Sequence, residues 1–133
     1  MDEAEVDPIE RWHAYLAAAP SEAALDALLD DDVVFRSPAV HTPQHGKTTT
    51  MQYLGAAATV LGNPSFRYVG EWRTERSAVL EFKCEIAGGV GVHGVDIIEW
   101  NESGRIVTFT VMIRPLKALT TIVPLMAAAL SGG

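Results

Sequence analysis

The chain holds one cysteine, Cys84, among its 133 residues. One thiol cannot build an internal disulfide framework or a cysteine-based zinc site, and it fits a reducing compartment. Basic residues are also scarce: ten Lys and Arg stand against seventeen Asp and Glu, a net charge of −7. Nucleic acids and anionic membrane surfaces are bound largely through cationic side chains, so neither partner is expected. Long apolar runs are missing too. The longest, 118–130, is too short to span a bilayer and is interrupted by Thr120, Thr121 and Pro124. The opening MDEAEVDPIE is acidic and has no apolar run, so no signal peptide is expected. The chain contains no internal repeat and no linker long enough to divide it. These exclusions leave a single acidic domain over 1–133, with 1–6 and 131–133 as flexible tails and the cytoplasm as its place. At 48% hydrophobic and 20% charged residues, such a chain buries about two-thirds of its unfolded surface.

The apolar periodicity divides the chain into helices first and strands second. Asp7, Pro8 and Glu10 form a capping signal, and Ile9, Trp12, His13 and Leu16 follow at helical spacing up to Pro20. Ser21 caps a second helix whose stripe is Ala24, Leu25, Leu28 and Leu29. Asp30, Asp31 and Asp32 read as its exit turn, because carboxylates are disfavoured at a helix C-terminus. Residues 33–35 read as a short strand, 38–47 as a loop, and 48–61 as a third helix closed by Gly62-Asn63-Pro64. Beyond this the period changes to two. Phe66, Tyr68, Gly70 and Trp72 share one face, as do Leu80, Phe82, Cys84 and Ile86. Gly88-Gly89 turns the chain into a strand over 92–100; a hairpin at 101–104 leads to a strand over 106–114, with Phe109, Val111 and Ile113 on one face. The tail, 116–130, reads as a helix kinked or broken at Pro124. It is apolar nearly all round, so it should cap a cavity mouth or pack across a dimer interface. Segregated helices and strands imply an α+β fold with helices on one face of an antiparallel sheet.

Long antiparallel strands twist and curl, and helices closing one face of a curled sheet leave a concave apolar cavity. The polar groups that point inward are therefore the informative ones. Asp96 lies in GVDIIEW on the same face as Gly94, Ile98 and Trp100. A carboxyl buried there either donates a hydrogen bond to a developing oxyanion or acts as a base; its alternative is a structural bond to backbone or an arginine. His13 lies in the stripe of the first helix, as a core histidine or as a partner of Asp96, and Tyr15 falls to the side of that stripe. His93 points to the opposite face from Asp96. His41 and His45 are four apart, a metal spacing on a helix, but they sit in a proline-rich loop with no acidic ligand near in sequence. Ser37 lacks a nucleophile-elbow context, Gln44–Thr48 lacks the spacing of a phosphate loop, and Cys84 alternates inward as a packed thiol.

The amphipathic first helix, LDALLDDDVVFRSP, the HGK turn into the third helix and GVDIIEWNESGRIVTFTVMIRPL together carry a resemblance. From Ile9 to Leu119 the chain resembles the nuclear-transport-factor-2-like superfamily, and within it the SnoaL-like branch, home of ketosteroid isomerases and polyketide cyclases. The resemblance implies a cone-shaped, curved antiparallel sheet, three N-terminal helices on its concave face and a C-terminal helix. It also implies a homodimer formed through the sheet. Asp96 falls where ketosteroid isomerases carry a protonated aspartic acid that bonds the enolate oxygen, a carboxyl kept neutral by its apolar site. Their base is matched here by Ser37, which cannot abstract a carbon-bound proton, and their helix tyrosine by His13 or Tyr15. Steroid isomerisation by that mechanism is therefore not expected. Polyketide cyclases pair an acid/base aspartate with histidines, which Asp96 with His13 or His41 could supply. An Asp-Arg-Asp water site of the epoxide-hydrolase kind has only Asp96, since Arg114 alternates away.

Two functions follow as expectations. In the first, the protein is a cofactor-independent acid/base enzyme of cyclase or isomerase type acting on an apolar carbonyl compound. Asp96 is its catalytic group, with His13 and Tyr15 as partners. Ser37 and His41 rim the mouth, and Phe35, Phe82, Trp100, Phe109 and Ile113 line the cavity. In the second, the same fold holds an apolar ligand without chemistry or serves as a dimeric scaffold. Neither calls for a metal.

Overall fold

Asp7 begins the first helix as its sequence signals: the side chain accepts from the Ile9 N–H, with Pro8 at the first helical position. Such a cap contributes about 1 kcal/mol. The computed structural model describes residues 7–18 and 21–131. Residues 1–6, Pro20 and the last two of the expected tail, 132–133, lie outside the described residues. Helix α1 (Pro8–Ala17) and α2 (Glu22–Leu28, capped by Ser21) are followed by β1 (Leu29–Arg36), β2 (Gln44–His45) and α3 (Lys47–Leu61). Then come β3 (Arg67–Arg73), β4 (Ser77–Ile86), β5 (Val90–Trp100), β6 (Ile106–Arg114) and α4 (Leu116–Ser131). The fold is α+β, with one curved six-stranded sheet in the order β2-β1-β6-β5-β4-β3. Phe35, Leu80, Phe82, Ile98 and Phe109 are buried on its inner face together with Ile9, Trp12, Leu25, Leu28 and Leu54 of the helices.

The structure corrects several expectations. The sheet is mixed rather than wholly antiparallel, because β1 runs parallel to β6, Val34 to Arg36 opposite Thr108 to Thr110. Alternation along one strand reveals its faces and says nothing of its neighbour's direction. Asp30, Asp31 and Asp32 belong to β1 rather than to an exit turn. They fall where the β1–β6 register is interrupted, so their carboxylates reach outside the ladder. Asp30 bonds Asn101, and Asp31 pairs with Lys47. Part of the expected loop, Gln44–His45, adds a short edge strand to β1. Helix α4 runs through Pro124 as one helix and lines no part of the cavity described below. It packs chiefly on α3, burying Ala118 and Ile122. Among the described residues no helix is long and apolar enough to cross a membrane.

Strand β3 holds the correction that matters most for the site. Its register with β4 steps from Tyr68 opposite Phe82 to Gly70 opposite Glu81. The extra residue, Val69, reverses the faces beyond it. Tyr68 therefore points inward while Trp72 is 59% exposed. Trp72 lies over Gly70, where an added Cβ would stand 2.8 Å from the indole. Only a residue without a side chain admits that contact. Past the bulge, Glu71 and Arg73 turn toward α1, where His13 and Asp7 pair with them.

Candidate functional site

Helices α1 and α3 lie over the inner face and leave a cavity of ≈ 320 Å³ between them and the sheet. Helical spacing selects its helical walls: Trp12, Tyr15 and Leu16 from α1, and Leu54, Ala57, Ala58 and Leu61 from α3. The chain leaving α3 adds Asn63 and Phe66. The floor is one or two inward residues from each of β3 to β6: Tyr68, Phe82, Asp96, then Phe109 and Val111. Asn63 brings no free polar group, because its amide donates to the Glu85 carbonyl and its oxygen accepts from Ser65.

Gly94 makes the floor possible. It sits between Phe82 and Ile113 in neighbouring strands, and a Cβ there would meet the Phe82 ring at 2.6 Å and the Met112 carbonyl at 2.5 Å. The Phe82 ring takes that space. Asp96, two residues on along the same face, remains open to the cavity.

Asp96 is 6% exposed. Burial raises its pKa to about 7, against the opposing effect of one hydrogen bond: the Tyr68 hydroxyl donates to Oδ2 at 2.6 Å. The Tyr68 oxygen in turn accepts from the Trp12 indole N–H at 3.0 Å. An indole only donates, and tyrosine has a single proton. The chain therefore runs from Trp12 through Tyr68 to Asp96. Burial, then the charge and bond of Asp96, push the Tyr68 hydroxyl well above its ordinary range, so it remains a donor. Among the described residues no group bonds the other oxygen, Oδ1. Thr50 Oγ1 is the one buried, unpartnered side-chain atom among them, so Oδ1 is not sealed in the core; it faces the cavity that Asp96 lines.

The candidates named from the sequence divide by place. Asp96, Tyr15, Phe82 and Phe109 are on the cavity wall, Tyr15 stacked on Trp12 at 5.4 Å. His13 is not: its Nε2 bonds Glu71 Oε1 at 3.1 Å and its ring stands edge-on to Tyr68 from outside. Phe35 is buried behind the wall, 6.0 Å from Phe109. Ser37 caps its own turn by accepting from the Ala39 N–H, and His41 is exposed on the loop. A register shift after Glu99 carries Trp100 to a separate surface cleft with Arg73 and Arg76. Ile113 packs on the core beside Gly94. Sequence reasoning passed over Trp12 and Tyr68 as site residues. Their signal was present: both fall on buried faces, and a buried indole or phenol needs a polar partner. Among the described residues no group of three or more His, Cys, Asp or Glu could hold a metal ion.

Comparison with known proteins gives this geometry a family. The model of the SnoaL-like domain matches residues 9–109. A steroid delta-isomerase from Pseudomonas aeruginosa is 32% identical with a TM-score of 0.88, over 99% of this chain and 94% of its own. A protein with a cystatin-like fold from Silicibacter pomeroyi is 31% identical with a TM-score of 0.81, over 91% and 83%. An epoxide hydrolase/cyclase-like enzyme of pyran ring formation in the polyether salinomycin shares the fold at 12% identity and a TM-score of 0.63, over 82% and 92%. No curated protein matches by sequence.

Proposed function

The chain belongs to the SnoaL-like domain family, and from that premise we propose that its cavity binds a small apolar carbonyl compound on which Asp96 acts as acid and base, without a cofactor. The observation that carries this reading is a buried carboxyl with one oxygen held by Tyr68 and the other facing an apolar cavity. With a pKa of about 7, both of its forms are populated at neutral pH, the condition that favours general acid–base catalysis. The Tyr68 proton occupies Oδ2, so the acid proton of Asp96 belongs on Oδ1, where it can bond a ligand carbonyl. In its ionised form Oδ1 can accept a proton from the carbon next to that carbonyl. Tyr15 is the second hydroxyl on the wall. His13 steadies α1 from outside, and Ser37 and His41 are not among the lining residues of the cavity. The likeness to a steroid delta-isomerase supports chemistry of isomerase type.

The test uses a ketone that fits. Exchange of the methyl protons of 2-acetylnaphthalene into D2O is followed by NMR with wild type and Asp96→Asn. The reading expects acceleration of about 10² to 10⁴ by the wild type and none by the variant. Equal rates for the two would end it.

One observation favours a second reading, a non-catalytic binder. Among the cavity's lining residues no second carboxylate and no histidine stands beside Asp96. Tight binding of the ketone without exchange would decide for it.

In either case the protein works as a homodimer in the cytoplasm. The outer face of the sheet carries Trp72, Val79, Val95, Ile97 and Met112, with Met112 55% exposed, and burying that face suits a second copy. Single buried Cys84 suits a reducing compartment. Sedimentation of wild type and Met112→Glu tests the dimer.

A further inference from the structure

The titratable side chains on the cavity wall are all acids: Asp96 from β5, Tyr68 from β3 and Tyr15 from α1. The lining residues of α3, β4 and β6 include no titratable group, and no Lys, Arg or His is among the lining residues. Elsewhere half-buried Asp30 bonds the Asn101 amide and half-buried Glu81 the His93 ring, and half-buried Asp7 has a cationic partner, Arg73. Asp96 has none among the described residues; its one partner is the Tyr68 hydroxyl. Around it the rings of Trp12, Phe66, Tyr68, Phe82 and Phe109 line the same space.

A carboxylate removed from water without a cation is unfavourable. Folding imposes that penalty on Asp96 whatever binds later. An incoming cation therefore gains the full attraction of the carboxylate while desolvating only itself. Aromatic rings attract cations as well. An anion gains neither. The net charge of −7 acts in the same sense at long range, drawing cations and repelling anions.

We propose that the cavity takes up a lipophilic ammonium ion, a protonated amine on an apolar body small enough for its ≈ 320 Å³, with the N–H groups on Asp96 Oδ1 and the charge among the rings of Trp12, Tyr68 and Phe82. This rests on the cavity being a ligand site, as in the function proposed above, and is independent of catalysis. The amine and the carbonyl compound read opposite forms of one group. The ammonium ion requires ionised Asp96, and the carbonyl requires the acid. Their affinities must move in opposite directions with pH.

The test is calorimetric, on the purified full chain, with four probes of one shape: 2-(aminomethyl)naphthalene, 2-acetylnaphthalene, 2-ethylnaphthalene and 2-naphthylacetate. At pH 8 the amine should bind about tenfold tighter than the hydrocarbon, and the carboxylate more weakly than either. The amine's advantage should shrink as the pH falls to 5.5, while the ketone gains. Asp96→Asn should abolish the amine's advantage yet keep the hydrocarbon's affinity, which shows the cavity intact. Should that variant fail to fold, the pH series on wild type decides alone. An amine no tighter than the hydrocarbon at pH 8, or an advantage unchanged in Asp96→Asn, overturns the inference. If the ketone binds and the amine does not, this inference falls and the carbonyl reading stands. If no probe binds, both fall.

Discussion

The hydroxyl of Tyr68 and the carboxylate of Asp96 meet at 2.6 Å across an intervening strand. Tyr68 is on β3, Asp96 on β5, and β4 lies between. The contact exists because Phe82 of β4 leans over Gly94 rather than standing between the two polar groups. Both residues are thereby fixed at the floor of one apolar cavity.

Ionised Asp96 burdens the fold, and the sign of its pH dependence follows. Its folded pKa of about 7 lies above the ordinary 3.8. The unfolded chain releases this proton near pH 4 and the folded chain keeps it to near 7. Stability is therefore lost as pH rises through that window, by about 4 kcal/mol in all. Asp96→Asn has no such window. Urea melts should show the variant more stable than wild type above pH 7 by a few kcal/mol, with the difference vanishing near pH 4. Parallel curves would contradict the burial of this carboxyl.

Removing the Tyr68 hydroxyl should push the Asp96 carboxyl higher still. Tyr68→Phe deletes the bond that lowers the carboxyl's pKa and leaves the Trp12 N–H without its acceptor. The expected loss at pH 8 is about 1–3 kcal/mol, with the titration of Asp96 moved further up. A double-mutant cycle with Trp12→Phe should return a coupling of about 1 kcal/mol, because the three groups form one chain. Additive losses would mean that the chain does not act as a unit.

Gly94→Ala probes the floor. Its Cβ would stand 2.5 Å from the Met112 carbonyl and 2.6 Å from the Phe82 ring, so ring or strand must shift. A loss of about 1–3 kcal/mol is expected, together with weaker binding of 2-acetylnaphthalene as Phe82 moves into the cavity. A variant with wild-type stability and affinity would show that the ring is not held by that gap.

Ala57→Phe tests the opposite wall. Ala57 is half-buried on α3 and lines the cavity. A phenyl group there projects into the ligand's space and alters neither partner of the Tyr68–Asp96 bond. Calorimetry should show at least tenfold weaker ketone binding, with a change in stability of about 1 kcal/mol or less. Unchanged affinity would place the ligand somewhere else.

Local chemistry was legible in the sequence wherever one element decided it. Asp7 and Ser21 announced their helices, and alternation in GVDIIEW placed Asp96 on the inner face. Relations between elements were not legible. The direction of β1 against β6 leaves no trace in either strand's pattern. The bulge at Val69 is an extra residue with no turn signal, so alternation carried Trp72 to the wrong face and put Glu71 opposite its true one. Trp12 and Tyr68 are 56 residues apart, and nothing local joins them. His13 fell in an apolar stripe, yet a carboxylate delivered by the bulge draws its ring outside the cavity.

The most direct measurement is a pH titration of the Asp96 carboxyl carbon by ¹³C NMR, in the free protein and with 2-acetylnaphthalene bound. The account predicts a midpoint near 7 in the free protein and an upward displacement when the ketone binds, because the ligand's carbonyl holds the acid form. A midpoint in the ordinary carboxylate range, or one indifferent to the ketone, would contradict it.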